Sequence, residues 1–153
     1  MRIVHMNKKK SVDKKLDMLE SKCVECGSLM KDAIGKLDFP VNGEDIAVSG
    51  MTFLKCQKCH EVILRLDESR KLRENAIELY RKKHNLLSGD EIRSIRERNQ
   101  LTQAQFASLL KLGVNTLSRW ESGRNVQNSA MDVLLRLIRD VPGTLAYLQR
   151  FAA

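Results

Sequence analysis

Four cysteines set the strongest limit on what this chain can fold into, because they fall as two pairs of equal spacing, Cys23-x-x-Cys26 and Cys56-x-x-Cys59. In a C-x-x-C knuckle the turn lets both thiolates face one tetrahedral cation, and Gly27 relieves the backbone just after the first pair. Two knuckles complete a four-sulfur shell, the closed coordination of one structural Zn²⁺ per chain. The residues between them need such a staple. Asn42-Gly43, set between Phe39-Pro40-Val41 and Ile46-Ala47-Val48, is a hairpin signal, since such pairs tolerate positive φ cheaply. Thr52-Phe53-Leu54 and Val62-Ile63-Leu64 read as further short strands. A β unit this small has too little core to stand alone, so metal binding becomes its folding energy. Two redox disulfides, or a thioredoxin-like C-x-x-C, are the competing readings, and the latter needs a βαβ context that the pattern lacks. Four thiolates leave no open position for water, which argues against a catalytic metal. His60, beside Cys59, is read as a surface histidine rather than a ligand.

The formal net charge is +8 and the pI about 9.5, so an acidic partner such as nucleic acid is expected, with a well-solvated surface as the plainer alternative. No apolar run approaches a membrane span, and the basic N-terminus lacks the apolar stretch of a signal peptide. A cytoplasmic, reducing setting is therefore the expectation, and cysteines there bind metal more often than they form disulfides. The chain divides into a lysine-rich extension (1–22), the cysteine-bracketed β unit (23–66), a charged linker helix (67–87) and a helical C-terminal domain (88–153). Val12, Leu16 and Leu19 give the extension helical spacing, although a disordered tail is the simpler reading. In the linker helix Leu72, Ala76, Leu79 and Tyr80 keep to one face. The whole is α+β, mainly α.

Capping signals divide the C-terminal part. Ser88 with Glu91 forms a capping box ahead of a helix with Ile92 and Ile95 inward, and Thr102 with Gln105 opens a second helix through Leu110. A turn at Lys111-Leu112-Gly113 leads to a third helix, Val114 to Glu121, with Leu117 and Trp120 inward and Gly123 as its left-handed cap. Two short helices joined by a tight turn, the second amphipathic and polar at its start, define a helix-turn-helix whose second helix enters the major groove of double-stranded DNA. Its outward positions are Val114, Asn115, Ser118 and Arg119. Asn115 and Arg119 share one face, where Asn can pair with adenine and Arg with guanine. A local helix cap for Asn115 and a surface salt bridge for Arg119 are the alternatives. Gln103 and Arg124 are placed to hold phosphates. Beyond them Val133-Leu134, Leu137-Ile138, Leu145 and Leu148, broken by Pro142-Gly143, give more apolar surface than a single domain needs. A self-complementary homodimer on a palindromic operator is the natural use.

The stretches Leu101-Thr102-Gln103-Ala104-Gln105-Phe106-Ala107 and Leu117-Ser118-Arg119-Trp120-Glu121-Ser122-Gly123 resemble the Xre-type, lambda-repressor-like domain, whose fold has five helices. Lys111 stands where that family usually has a turn glycine, so a strained turn is expected there. The order of four-cysteine β unit, linker helix and Xre-type domain resembles the MqsA-like (YgiT-type) antitoxins of bacterial toxin–antitoxin pairs. The resemblance implies a structural zinc, an N-terminal unit that binds a small toxin encoded alongside, and a C-terminal half that dimerises and represses its own operon. It also implies base reading by Asn115 and Arg119. The basic extension before Cys23 is additional to that pattern. A stand-alone repressor with a metal- or redox-responsive zinc unit is the alternative. An enzyme is not expected, for want of a nucleophile–base pair, a phosphate-binding glycine loop or an open metal site.

Overall fold

The computed structural model describes residues 22–151, so the extension's proposed helix lies outside the described residues. Among the described residues three antiparallel strands come first, β1 (Met30–Val41), β2 (Glu44–Cys56) and β3 (Val62–Ile63), in the order β1-β2-β3. Six helices follow among the same residues: α1 (Leu66–Lys83), α2 (Gly89–Arg98), α3 (Gln103–Leu109), α4 (Val114–Glu121), α5 (Ser129–Asp140) and α6 (Thr144–Gln149). The class is α+β and mainly α, as expected. The residues group into two compact units that divide between Ala76 and Ile77, and none of the described helices is long and apolar enough to cross a membrane.

In the first unit one long hairpin replaces the several short strands that the apolar runs suggest. Its turn is at Asn42-Gly43 (φ +50 and +82), between the paired Val41 and Glu44. The pairs Gly35–Met51 and Leu37–Val48 leave Lys36 opposite both Ser49 and Gly50, with Gly50 at φ +73. This bulge changes which face β2 buries. Side chains alternate along a strand, so without the extra residue Met51 and Phe53 would point away from the face that holds Ile46 and Val48. With it all four are buried, opposite Gly35, Ala33, Phe39 and Leu37 of β1. Gly35 leaves room there: a Cβ would lie 3.2 Å from the Phe53 ring, which would have to give way slightly. Leu72 and Ala76 of α1 are buried in the same unit, and the Arg73 guanidinium sits 5.9 Å from the Phe39 ring centre. Pro40, which has no N–H to donate, lies on the edge strand.

The second unit, from Ile77 onward, is built on Ile92, Ile95, Phe106, Ala107, Leu117, Trp120, Leu135 and Ile138, with Leu145 and Leu148 packed against them. Both capping boxes form as expected: the Ser88 hydroxyl accepts from the Glu91 amide and Thr102 from Gln105, with each N3 side chain accepting in return. The Asn128 side chain caps α5 by accepting from the Met131 amide. Pro142-Gly143 separates α5 from α6.

The ends of α2, α3 and α4 share one geometry. After α3 the Lys111 amide donates to Ser108 O and the Leu112 amide to Ala107 O, with Lys111 at φ +54, a Schellman motif. The same pairing, with Gly123 at φ +69, ends α4, and with Gln100 at φ +56 it ends α2. A residue with a Cβ pays about 1–2 kcal/mol for the left-handed region. Part of that returns on mutation to glycine as added freedom of the unfolded chain. Lys111→Gly is therefore expected to stabilise the second unit by about 1 kcal/mol, measurable as a higher urea midpoint followed by Trp120 emission. An unchanged or lower midpoint would show that the lysine side chain compensates for its backbone.

The charged helix departs from its expected face. Leu72, Ala76 and Ile77 are buried, whereas Leu79 is 41% exposed. The inward position of the last turn is taken by Arg81, 5% exposed.

Candidate metal centre and helix-turn-helix face

The two knuckles are built alike. The Cys23 amide donates to Ser28 O at 2.8 Å and the Cys56 amide to Glu61 O at 2.9 Å, so each C-x-x-C is closed by a bond from its first cysteine to the residue five further on. The residue after each second cysteine is left-handed, Gly27 at φ +69 and His60 at φ +62. Glycine marks the first of these turns in the sequence and nothing marks the second. The Gln57 amide donates to Leu29 O at 3.2 Å and ties one knuckle to the other.

This arrangement brings the four sulfurs within 4.8 Å of one another. Cys23 and Cys59 are 3.5 Å apart, as are Cys26 and Cys56. Sulfurs about 2.3 Å from a tetrahedral zinc stand about 3.8 Å apart, whereas a disulfide is about 2.05 Å long. The spacing is that of a metal shell, and all four cysteines are free. The Lys58 amide points at Cys56 Sγ from 3.4 Å, a donor that steadies a thiolate ligand. The charge balance points the same way. Hydrogen bonds from the Ser28 side chain and backbone pull Cys26 down to about 6. At Cys59 the Glu61 amide pulls downward, yet contact with Cys23, burial, and contact with Cys26 and Cys56 push the thiol up to about 12. Thiolates this close repel one another, and a divalent cation would offset their charge. Cys23 and Cys56 are buried, Cys26 is half-buried and Cys59 exposed, and Met30 packs against the cluster. His60 is exposed and lies outside the sulfur shell.

In the second unit α3, the turn and α4 form the helix-turn-helix. Leu117 and Trp120 are buried, while Val114, Asn115 and Arg119 are exposed and Ser118 is half-buried on the other side of α4. The structure thus brings the four base-reading candidates onto one outward face. Arg124 is exposed and its Nε donates to Ser122 Oγ at 2.9 Å, which fixes its direction. Gln103 is partly committed, since its Nε2 donates to Glu121 Oε2 at 2.8 Å.

Glu121 is the side chain that reading the sequence misses. It lies within Trp120-Glu121-Ser122-Gly123 and passes for the polar end of a helix, yet its side chain is 1% exposed. Arg96 grips both its oxygens, Nε to Oε1 at 2.7 Å and Nη2 to Oε2 at 3.0 Å. Through Arg96 and Gln103 it locks the end of α4 to α2 and to the start of α3. Gly89 completes the contact: a Cβ there would stand 2.7 Å from the carbonyl oxygens of Trp120 and Glu121. This glycine serves close packing. A second polar group surrounds Asp132, which accepts from the Leu87 amide, Gln127 and Arg136.

A four-thiolate β unit followed by a helix-turn-helix domain defines a class of small two-part regulators. Within that class, residues 21–149 match the family described as the antitoxin component of a bacterial toxin–antitoxin system, MqsA, and the chain belongs to it. Over 62 residues the chain is also 42% identical to Antitoxin HigA-2 of Vibrio cholerae serotype O1 (strain ATCC 39315 / El Tor Inaba N16961). That match covers 40% of this chain and 60% of the relative, so the chain spans about three fifths of the length of the curated protein it resembles. Antitoxins are regulators, which agrees with the reading of the chain as a non-enzyme.

Proposed function

We propose that this antitoxin neutralises a small protein toxin encoded beside it through the zinc unit, residues 23–66, and represses its own operon through residues 88–153. In this reading it works in the reducing cytoplasm, with one structural Zn²⁺ held by Cys23, Cys26, Cys56 and Cys59 and no catalytic role for the metal. The observation that carries the DNA half is the outward face of α4. Val114, Asn115 and Arg119 are exposed on a helix whose opposite side is fixed by Leu117 and Trp120, the presentation a recognition helix needs. Asn115 and Arg119 read base edges, Ser118 and Val114 line the same contact, and Arg124 with the remaining amide hydrogen of Gln103 holds phosphates. An exposed apolar strip on the same unit supports a homodimer on a palindromic site. Val133 (57% exposed) and Leu137 (44%) stand one turn apart on α5, and Tyr147 (60%) and Phe151 (64%) contact each other with ring centres 4.9 Å apart.

The test uses duplex DNA from upstream of the gene. Arg119→Ala should cost about 1–3 kcal/mol against the preferred base at one position and relax preference there. Arg124→Ala should weaken binding evenly across sequences and lower the slope of log affinity against log salt by about 1. If Arg119→Ala weakens operator and scrambled duplex alike, base reading by α4 is wrong. For the toxin half, co-expression of the neighbouring gene should yield a stoichiometric complex that is lost when residues 1–66 are deleted. Persistence of that complex would move the toxin contact elsewhere on the chain.

A further inference from the structure

We propose that Arg81, on the last turn of α1, is a positioning residue for α4, so that the DNA-binding unit begins at Ile77 rather than at the capping box of α2. The inference rests on reading α4 as the recognition helix.

Arg81 is 95% buried by its 5% exposure, and its Nη2 donates to Trp120 O at 2.9 Å and to Asn125 O at 3.0 Å, with Gln127 Oε1 at 3.4 Å. All three acceptors are neutral. Two of them bracket the end of α4, one in its last turn and one in the loop that carries Arg124. The carbonyl end of a helix bears partial negative charge, and a cation placed there adds a further donor to its last carbonyls and complements the dipole. Arg93 from α2 does the same next to it, with Nη2 3.2 Å from Glu121 O. The end of the recognition helix is therefore held from two sides by guanidinium groups, and one of them arrives on a helix that precedes the five-helix domain in sequence.

Space-filling does not account for this residue. Burial pushes the Arg81 guanidinium down and only the more distant charges of Asp132, Asp90 and Glu91 hold it up. Its Nε is buried with no hydrogen-bond partner among the described residues. A methionine or leucine would fill the position without stranding a donor. What an apolar side chain would not do is join Trp120 O to Asn125 O. That link ties the last turn of α4 to the loop that leaves it, and so bears on where Arg119 and Arg124 stand relative to one another. Leu79 and Arg81 also explain each other: the α1 turn rotates Arg81 inward, and Leu79 is left outside.

The experiment uses the full chain with Arg81→Met, which keeps the volume and removes the donors, and Arg81→Lys, which keeps the charge but not the fork. Melting curves first define a temperature at which each variant is folded. There, amide exchange across α4 and the loop to Asn125 is measured, with emission from Trp120, the chain's one tryptophan. Affinities for the upstream duplex and for a scrambled duplex are measured alongside. The expected result for Arg81→Met is faster exchange at the end of α4, a shifted Trp120 emission, and at least a tenfold loss of affinity for the upstream duplex. The scrambled duplex should change less than twofold, and Arg81→Lys should recover part of each effect. Wild-type exchange, emission and duplex preference in folded Arg81→Met would overturn the proposal and leave Arg81 a purely stabilising residue. If the wild-type chain itself prefers no duplex, the DNA reading fails. The exchange and emission data still decide whether Arg81 positions α4.

Discussion

Cys26→Ser is expected to unfold the N-terminal unit and to leave the helices from Ile77 onward folded. The β hairpin buries one face only, and its far end, where Met30 pairs with Cys56, is held by the sulfur cluster. Removing one of four thiolates opens the shell, and structural zinc in small domains is worth on the order of 10–16 kcal/mol of folding energy. No rearrangement of a hairpin this size can offset a loss of that order. Zinc content, measured on the purified chain, should fall from one equivalent to a small fraction. Amides of β1 and β2 should exchange freely, and a strong chelator should produce the same state in the wild type. Trp120 lies in the other unit's core, so its emission and melting should move little, and binding to the upstream duplex should survive. Protected β amides in the metal-free variant would sink the staple. Loss of all duplex binding would show that the zinc unit and the DNA-binding unit are energetically coupled.

The parts of this molecule that were legible in its sequence are those that local chemistry specifies. Two C-x-x-C pairs, an Asn-Gly turn and two capping boxes each act over a few residues, and all of them formed where they were read. Helix ends were marked locally where glycine supplies the left-handed residue, as Gly123 does for α4. The strained turn at Lys111 was expected from the resemblance and formed, whereas Gln100 adopts the same conformation with nothing to mark it. His60 hides the symmetry of the two knuckles for the same reason. The hairpin's length was obscured by its bulge. Ser49-Gly50 reads as a break between two short strands, whereas paired to Lys36 it is the device that keeps Ile46, Val48, Met51 and Phe53 on one face.

Charged residues that fold inward were illegible for a different reason. Arg81 and Glu121 sit on helices rich in charge and carry no local mark of burial. Their partners come from distant segments: Trp120 and Asn125 for the first, Arg96 and Gln103 for the second. Periodicity assigned the inward position of α1 to Leu79 because apolar character is its only signal, and the structure gives that position to an arginine. The outward face of α4 was easier, since it follows as soon as Leu117 and Trp120 are placed inward. What holds that face at its angle is the part that only long-range contacts reveal.

Glu121→Ala should be among the most damaging single substitutions in the C-terminal unit, at about 3–5 kcal/mol. It leaves the Arg96 guanidinium with only Glu97 and the Leu101 carbonyl and frees Gln103, so α4 loses its side-chain tie to α3 and its strongest tie to α2. Glu121→Gln keeps the shape and one acceptor and should cost less. The pH dependence identifies the carboxylate as the source. Burial pushes the Glu121 carboxyl up, but hydrogen bonds from Arg96 and Gln103, with the charges of Arg96 and Arg93, outweigh it and hold the group below the usual range. A carboxyl whose pKa is lower folded than unfolded adds stability that is fully present above the unfolded value, roughly 4.3. That stability is lost as pH falls through the lower folded value. The unit should therefore weaken in acid, below about pH 4, and Glu121→Gln should flatten that part of the curve. Asp132 is held low as well, where burial is outweighed by hydrogen bonds from Arg136, the Leu87 amide and Gln127, so some acid sensitivity should remain in the variant. Urea unfolding followed by Trp120 emission between pH 3 and 7 separates the two. Parallel curves for wild type and Glu121→Gln would place the acid sensitivity on the other carboxylates held low, Asp132, Glu91 and Asp140, and leave the Arg96 contact without net ionic value.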